Sequence, residues 1–310
     1  MERQNIKIGL PRAMLYYRYR VLWRTFFQEL GMETVVSAAT DRDILERGTA
    51  LAIDEACLSL KIYLGHVAAL LGQCDYILVP RVSNSGRRRS MCTRFESMPD
   101  LTRNVFRNSG QKFLSYEVDV EAKKKGEEDS FVEMGKTLGC SAKAAKKAYQ
   151  QAKKADLAQH KERVQKYERQ YKKEGMKVLI AAHSYVAEDP YMGRTVSDYL
   201  KRVGVIPLRA DMVDRETALK RSRELSPTCK WEISREILGG VAMHRNDVDG
   251  IILLSAFPCG PDAMVNELIA RRVKDVPMLN LVLDSQSGTA GVETRLESFI
   301  DIIRFKEGKL

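Results

Sequence analysis

The stretch "GIILLSAFPCGPDAMVNELIARRV", residues 250–273, shows how this chain is built. It opens with an apolar run that has the length and composition of a buried strand, and it ends with apolar residues at helical spacing. Pro258 and Pro261 separate the two patterns, and Cys259 and Gly260 lie between these prolines. A strand that passes through a short loop into a helix is the repeating unit of a parallel α/β sheet.

The same alternation recurs along the chain. Segments at helical spacing, such as "LKIYLGHVAALLG", separate apolar runs that are typical of strands. The predicted strands are residues 6–11, 33–39, 75–82 and 112–119, followed by 177–184, 204–210, 250–257 and 277–284. We therefore predict an α/β protein with two Rossmann-like domains, residues 1–125 and 176–310, each with a parallel sheet, and a helical linker or insertion at 126–175.

The linker is lysine-rich. Residues 143–177 consist largely of Ala, Gln, Lys and Glu, a composition that predicts a long solvated helix. This helix carries much of the excess behind the formal net charge of +10. We interpret it as an exposed link or brace between the domains, with docking onto an acidic partner or nucleic acid as alternatives, and we expect no nucleic-acid partner.

Composition and length restrict the number of domains, the cellular location and the chemistry that we expect of the cysteines. With 310 residues, 44% of them hydrophobic, the chain can bury the cores of two domains. The sequence has no apolar leader and no run of about 18 apolar residues, so we expect a cytoplasmic protein without a membrane partner. There, the six cysteines are expected to be buried thiols, metal ligands or nucleophiles rather than disulfides. Neither GxGxxG nor GxxxxGK[ST] occurs, so we do not expect the chain itself to bind and hydrolyse ATP.

Three cysteines lie where a parallel α/β protein binds ligands, beyond the carboxyl ends of its strands or at helix junctions. Cys259 follows a strand and precedes a helix whose free N–H groups are expected to favour a thiolate. Cys92 lies in a loop beside the cluster "SNSGRRRS" (83–90), and Cys57 falls between two helical segments. We expect the three to converge on an inter-domain cleft. Their spacing alone leaves open structural thiols, a metal or iron–sulfur site, and a catalytic cysteine with His183 as its base.

Other candidate residues have simpler interpretations. Cys74 precedes its strand and Cys140 opens the lysine-rich helix, so both are predicted to be buried or half-buried thiols. Cys229 lies at a predicted helix start, where Lys230 indicates an exposed turn. His66 lies in an apolar stripe and is predicted to be a core histidine. The four histidines show no HxxxH or HxH pairing, so a histidine-built metal site is not expected.

Several segments together resemble the acyl-CoA dehydratase activase-related family, relatives of the 2-hydroxyacyl-CoA dehydratase and benzoyl-CoA reductase subunits. They are "IGLPRAMLYYRYRVLWRTFFQELGMETVVS", "DEACLSLKIYLGHVAALL", "DYILVPRV", "CTRFESMPDL", "AFPCGPDAMV" and "TAGVETRLESFIDII". The resemblance implies two α/β domains with a 4Fe-4S cluster in the cleft, held by Cys57, Cys92 and Cys259. An 8Fe-9S double cubane is a further option, but Cys74 and Cys140 are poorly placed for it, so we expect a single cubane.

The resemblance also implies a function. A separate ATP-hydrolysing activase would push an electron onto the cluster, and the chain would act in anaerobic low-potential electron transfer or in reduction of a small-molecule or acyl-CoA-like substrate. It would thus be an iron–sulfur reductase or a dehydratase-like component. Whether the chain forms a homodimer is left open. The alternative from another class is a non-enzymatic basic binding module with structural thiols and no cluster.

Around the cluster we expect Pro258, Gly260, Arg94 and Glu55. The proline would stiffen the loop, and the glycine would let the backbone approach a bulky inorganic group. Cys229 is the remaining thiol with a route to the cleft, and we expect that it is not a fourth ligand.

One loop departs from the family pattern. Where relatives carry a DEHxGEAG-like loop, this chain has "DSQSGTAG" (284–291), with Ser285, Gln286 and Thr289 in place of acid–base groups. This departure favours electron transfer or small-molecule reduction over a true dehydratase.

Overall fold

Two four-stranded parallel sheets organise the chain, which confirms the predicted α/β class. The structure is a computed structural model, and it describes residues 6–306. The chain forms two units: unit 1 is Met1–Asp54 with Leu60–His160, and unit 2 is Glu55–Ser59 with Lys161–Leu310. The three-part division into 1–125, 126–175 and 176–310 stays a prediction.

Unit 1 contains the first sheet, in the order β2-β1-β3-β5, and a two-stranded parallel pair, β4-β6. The strands are β1 Lys7–Leu10, β2 Glu33–Val36, β3 Tyr76–Leu78, β4 Arg81–Asn84, β5 Lys112–Leu114 and β6 Glu117–Asp119. The helices that lie wholly or mostly in unit 1 are α1 Tyr16–Glu29, α2 Arg42–Leu51, α3 Leu58–Leu70, α4 Thr93–Val105, α5 Glu127–Thr137 and α6 Ala142–Tyr171. The first two residues of α3 and the last part of α6 belong to unit 2.

Unit 2 contains the second sheet, in the order β10-β9-β7-β8. Its strands are β7 Lys177–Ala181, β8 Ile206–Arg209, β9 Gly250–Ala256 and β10 Met278–Leu283. Its helices are α7 Ser184–Ala187, α8 Gly193–Arg202, α9 Arg215–Arg221, α10 Glu232–His244, α11 Gly260–Arg272 and α12 Thr289–Lys306, with a 3-10 turn at Ser222–Glu224.

Each predicted strand contains at least one observed strand. Two of them are divided: residues 75–82 contain β3 and the start of β4, which continues to Asn84, and residues 112–119 contain β5 and β6. Pro80 lies in the first break, where it cannot donate a backbone hydrogen bond to a ladder. The second members of the two divided runs pair with each other in parallel.

Both sheets share one strand order. In unit 1 the order from the edge is β2-β1-β3-β5, and in unit 2 it is β8-β7-β9-β10, so the first and third strands are neighbours in each. The direction of winding reverses between those two strands, which opens a crevice at their carboxyl ends, and ligands of such folds bind there. In unit 2, the crevice lies between β7, which is followed by His183, and β9, which is followed by Cys259.

The core of unit 2 is built around β9 and α10. All seven residues of β9 are buried, as expected for a central parallel strand covered on both faces. Helix α10 packs so closely that a Cβ added at Gly240 would lie 1.8 Å from the Ala210 carbonyl oxygen. Glycine is therefore required there by the close approach of two backbones.

Helix α6 differs in one respect from the solvated helix that its composition predicts. Its Ala145, Ala148 and Ala152 side chains are buried at helical spacing, so one face packs while the lysines stay on the others. Its end is fastened within unit 2: Arg163 lies 2.5 Å from a Glu188 oxygen that is also 2.9 Å from Arg209. Within residues 6–306, no helix combines the length and the apolar character that a membrane crossing requires.

His66 is a core histidine of unit 1, as predicted. It is fully buried on α3, and its two ring nitrogens lie 2.9 Å from Ser37 Oγ and 3.0 Å from Thr40 Oγ1. Burial is the main cause that lowers its pKa from 6.5 to about 4. The imidazole is therefore neutral at physiological pH and serves packing rather than ligand binding.

Candidate functional site

The loop after β9 presents Cys259 at the start of a helix. Cys259 has an extended backbone and directly precedes α11, and its carbonyl accepts from the Ala263 N–H at 3.0 Å. Pro261 lies in the first turn, where its missing N–H costs no intrahelical bond. This part of the sequence prediction is confirmed: a strand ends, a cysteine follows, and the helix begins at once.

Cys57 belongs to the same neighbourhood. It lies in the short segment Glu55–Ser59, which is part of unit 2 although its flanking residues belong to unit 1. The segment is tied to the Cys259 loop by a 2.8 Å hydrogen bond from the Leu58 N–H to the Phe257 carbonyl. The two thiols are near enough for Cys57 to raise the pKa of Cys259 electrostatically. Two of the three candidate cysteines are thus brought together.

The electrostatics of Cys259 differ from the prediction of a helix-stabilised thiolate, which is wrong for the metal-free chain. Burial raises the pKa of the Cys259 thiol well above its ordinary value, and the Asp262 carboxylate and Cys57 raise it further. A backbone N–H of α11 acts in the opposite direction but does not outweigh them. The thiol is therefore protonated at neutral pH, a poor state for a nucleophile, and it would need a bound cation to become a thiolate.

His183, the base considered from the sequence, is engaged by other groups. It follows β7 across the crevice, with Nδ1 2.8 Å from the Tyr185 hydroxyl and 3.1 Å from Asp262 Oδ1, and with Nε2 3.3 Å from Ser234 Oγ. Asp262 is buried, and its second oxygen, Oδ2, has no hydrogen-bond partner within residues 6–306. Sequence reasoning missed Asp262, although its place three residues after Cys259 on a helix was a usable signal.

Cys92 lies in unit 1. It precedes α4 as the N-cap residue, with its carbonyl accepting from the Phe95 N–H at 2.9 Å, and its side chain is partly exposed. Arg94, in the first turn of that helix, is also partly exposed. Cys92 therefore lies beyond a strand, as predicted, and the structure adds that it directly precedes a helix.

The remaining residues expected around a cluster are on the surface of unit 2. Glu55, Pro258 and Gly260 are exposed. Apart from its own neighbours in the chain, no heavy atom of residues 6–306 would lie within 4 Å of a Cβ added at Gly260, and the φ of Gly260 is not in the left-handed region. Neither packing nor backbone conformation requires glycine at this position.

The other cysteines have the settings of structural thiols. Cys229 is only 8% exposed and packs in the unit 2 core with Leu225 and Ile237, which corrects the exposed turn expected from Lys230. The reason is that the following helix, α10, is itself buried. Cys74 is half-buried, as predicted, with Sγ 3.6 Å from the Leu70 carbonyl, and Cys140 is half-buried before α6.

A pocket opens at the carboxyl end of β10, within unit 2. Leu58, the residue after Cys57, is part of its wall, and so are Asp284 and Ser287 of the "DSQSGTAG" loop. Ser285 and Gln286 lie in the turn of that loop, and the Thr289 side chain lies outside the described part of the chain. Sequence reasoning singled out this loop but did not find the pocket, because its other walls come from distant segments.

The described His, Cys, Asp and Glu side chains determine which metal sites the structure can form. Within residues 6–306, no three or more His, Cys, Asp or Glu side chains form a group that could hold a metal ion. In unit 2 the nearest approach to such a group is Cys57 and Asp262, each of which raises the pKa of the Cys259 thiol.

Similarity to solved structures is weak. The SBP FpvC from Pseudomonas aeruginosa in complex with Mn2+ is 14% identical, with 97% of this chain and 98% of that chain covered and a TM-score of 0.30. ZnuA is 9% identical, with 97% and 99% covered and a TM-score of 0.27. These TM-scores are too low to carry an argument about fold or function. No curated protein matches the chain significantly.

The family assignment comes from the sequence. A family model described as "CoA enzyme activase uncharacterised domain (DUF2229)" matches residues 7–213, which is most of the chain. The match runs from β1 of unit 1 through Cys57 and Cys92 to the strand β8 of unit 2. It confirms the resemblance inferred from the quoted motifs, and the chain belongs to this CoA enzyme activase-related family.

Proposed function

We propose that this chain is an iron–sulfur protein that acts in low-potential electron transfer or small-molecule reduction, together with a separate ATP-hydrolysing activase. The observation that carries the proposal is the hydrogen bond from the Leu58 N–H to the Phe257 carbonyl, which brings the segment that carries Cys57 against the Cys259 loop at the crevice of the unit 2 sheet. Thiolates are the ligands that iron–sulfur clusters select, and sheets of this strand order bind ligands at this crevice.

The thiols have the chemistry that a cluster needs, although within residues 6–306 they are not gathered into a group of three or more donors. Cys57 and Cys259 supply two sulfurs, and Cys92 of unit 1 is the third thiol that a 4Fe-4S cluster would use in this proposal. The cluster would supply one-electron chemistry when bound. Its cationic irons would also deprotonate the Cys259 thiol, whose proton is otherwise retained by burial and by Asp262.

The chain's own residues would shape the surroundings of the cluster. The Leu58 N–H donates to the Phe257 carbonyl, so the backbone segments that carry Cys57 and Cys259 are joined directly before any ligand binds. Asp262 is itself positioned by His183, which limits the movement of the groups next to Cys259. A rigid site reduces the reorganisation that accompanies electron transfer.

A catalytic cysteine is the weaker alternative. The raised pKa of Cys259 keeps its thiol protonated, and both ring nitrogens of His183 already have hydrogen-bond partners. A nucleophilic cysteine needs the opposite arrangement, a lowered pKa or an adjacent free base.

The first test is iron and sulfide analysis of protein purified without oxygen. We expect about four iron and four sulfide ions per chain and a brown protein with an absorbance band at about 400 nm, as for a cubane cluster. Cys57→Ser, Cys92→Ser and Cys259→Ser should each lose most of the iron, whereas Cys74→Ser, at a half-buried thiol in contact with Leu70, should keep it.

The outcomes separate the alternatives. Full iron retention in one of the three variants removes that residue from the ligand set. A wild-type chain that stays colourless and iron-free after anaerobic reconstitution would overturn the proposal and favour a basic binding module with structural thiols. Tight ATP binding by the isolated chain, measured by calorimetry, would contradict the need for a separate activase.

Ligation by three cysteines would leave one iron open. Anaerobic addition of cyanide should then change the electron paramagnetic resonance signal of the reduced cluster. Cys229→Ser should retain iron, because Cys229 is packed in the core of unit 2. An unchanged spectrum together with iron loss in Cys229→Ser would instead indicate four-cysteine ligation and make pure electron transfer the better interpretation.

A further inference from the structure

The pocket at the carboxyl end of β10 has no role in the proposed cluster site. Its empty space, counting the open mouth, is about 440 Å³. The walls come from the end of β10 and the loop after it, the first turns of α12, the segment from Tyr191 to Thr195, and Leu58. All of these residues belong to unit 2.

The inner wall of the pocket is apolar. Five aliphatic or thioether side chains from four separate segments face it, together with one aromatic ring. They are Leu58, Met192, Leu283, Val292 and Leu296, with Tyr191 as the aromatic residue. A concave apolar wall from several segments of one unit, placed beyond the end of a parallel strand, is the usual setting of a small-molecule site.

The charged groups of the wall are both acidic. Asp284 and Glu293 line the pocket, and no Lys or Arg is among the described residues that line it. Glu293 is paired with Arg202 at 2.7 Å, which offsets its charge. Asp284 Oδ1 accepts from the Gln286 N–H at 2.8 Å and from Ser287 Oγ at 2.9 Å. Those donors are neutral, so they orient the Asp284 carboxylate without cancelling its charge.

We propose that this pocket binds a small apolar molecule that carries an amine. The apolar walls would take the hydrocarbon part, and Asp284 would pair with the ammonium group at the mouth. The uncompensated charge of Asp284 would repel a carboxylate or phosphate, so we expect the pocket to disfavour anionic ligands such as the phosphorylated part of a CoA ester. The inference goes beyond the cluster proposal and does not depend on it, since no cysteine is among the described residues that line the pocket.

The test compares three probes of similar size that differ in charge: 2-phenylethylamine, 2-phenylethanol and 3-phenylpropionate. Binding to the full chain is measured by ligand-observed NMR titration at neutral pH and low salt. We expect the amine to bind at least about tenfold more tightly than the carboxylate, with the alcohol between them, because only the amine gains the ion pair with Asp284.

Asp284→Asn isolates the charge. The Asn side-chain oxygen can still accept from Gln286 N and Ser287 Oγ, so the loop keeps its hydrogen bonds. The variant should weaken amine binding by about tenfold and leave 2-phenylethanol unchanged. Asp301→Asn makes the same change of net charge on α12 at a residue that does not line the pocket, and it should leave amine binding intact.

Three results would overturn the inference: failure of all three probes to bind, carboxylate binding as tight as amine binding, or equal losses in Asp284→Asn and Asp301→Asn. The titrations are run on both iron-loaded and iron-free protein. Amine binding to an iron-free chain supports the pocket even if the cluster proposal fails, and iron retention without probe binding gives the reverse result.

Discussion

Replacing Gly260 with alanine separates the requirements of the fold from those of a bound group. Gly260 is the first residue of α11, next to Cys259, and a methyl group added there would meet no heavy atom from elsewhere in the described part of the chain within 4 Å. Its backbone is not left-handed, so alanine is allowed. In the chain without a cluster, Gly260→Ala should therefore raise the free energy of unfolding by about 0.5 kcal/mol, because alanine loses less backbone entropy on folding.

A bound cluster changes the expectation. If the cluster lies against the backbone at Gly260, the added methyl group displaces it, and anaerobically reconstituted protein should retain about half of its iron or less. Gly291→Ala is the matched control, since Gly291 lies in the first turn of α12, is exposed, and also has open space around its Cα. It should give a similar stability gain and full iron content.

Two measurements decide the matter: urea unfolding of the iron-free variants and the iron-to-protein ratio after reconstitution. A loss of more than about 1 kcal/mol in iron-free Gly260→Ala would refute the open space at this position. Unchanged iron content in Gly260→Ala would refute the idea that this glycine allows close approach of a cluster.

Three further predictions concern charged and titratable groups. Glu188→Gln should lower the free energy of unfolding by about 3 kcal/mol, because buried Arg209 loses one of its carboxylate partners, and an unchanged urea midpoint would contradict this. Burial holds the pKa of His66 at about 4 instead of 6.5, so the folded state binds fewer protons in this window. Wild-type stability should then fall by up to about 3 kcal/mol more than that of His66→Gln as pH drops from 6.5 to 4, and parallel pH profiles of the two proteins would refute it. In the iron-free chain, Asp262→Asn should speed alkylation of Cys259 by iodoacetamide at least severalfold at about pH 8, because a carboxylate that raises the thiol pKa is lost; equal rates by mass spectrometry would contradict this.

Local patterns were sufficient to find the strands. The apolar run at 250–257 and the helical spacing after it predict β9 and α11 within a few residues, and the other strands follow the same rule. Strand ends were harder, since residues 75–82 form two strands. The break at Pro80 arises because its backbone cannot donate a ladder hydrogen bond, a fact that a count of apolar residues does not weigh.

The environments of single side chains were less predictable than the elements that carry them. Cys229 was expected in an exposed turn because a lysine follows it, yet it is buried under a helix that is itself in the core. Cys259 was expected to be a thiolate because a helix begins there, yet burial and Asp262 outweigh the helix N–H group. Both differences come from neighbours that are remote in sequence or hidden by packing.

The sequence by itself determined the α/β class, the strand-to-helix rhythm, the family, and the position of Cys259 between a strand and a helix, because each of these depends on periodicity, spacing or motifs along the chain. Only the tertiary structure brought Cys57 beside Cys259, because the segment that carries Cys57 packs with unit 2 rather than with its own neighbours in the chain. It alone also decided the protonation of Cys259 and the acidic pocket beside β10. The electrostatic field at a side chain and the shape of a cavity depend on distances in space. Residues that are far apart in sequence reach those distances only when the chain has folded.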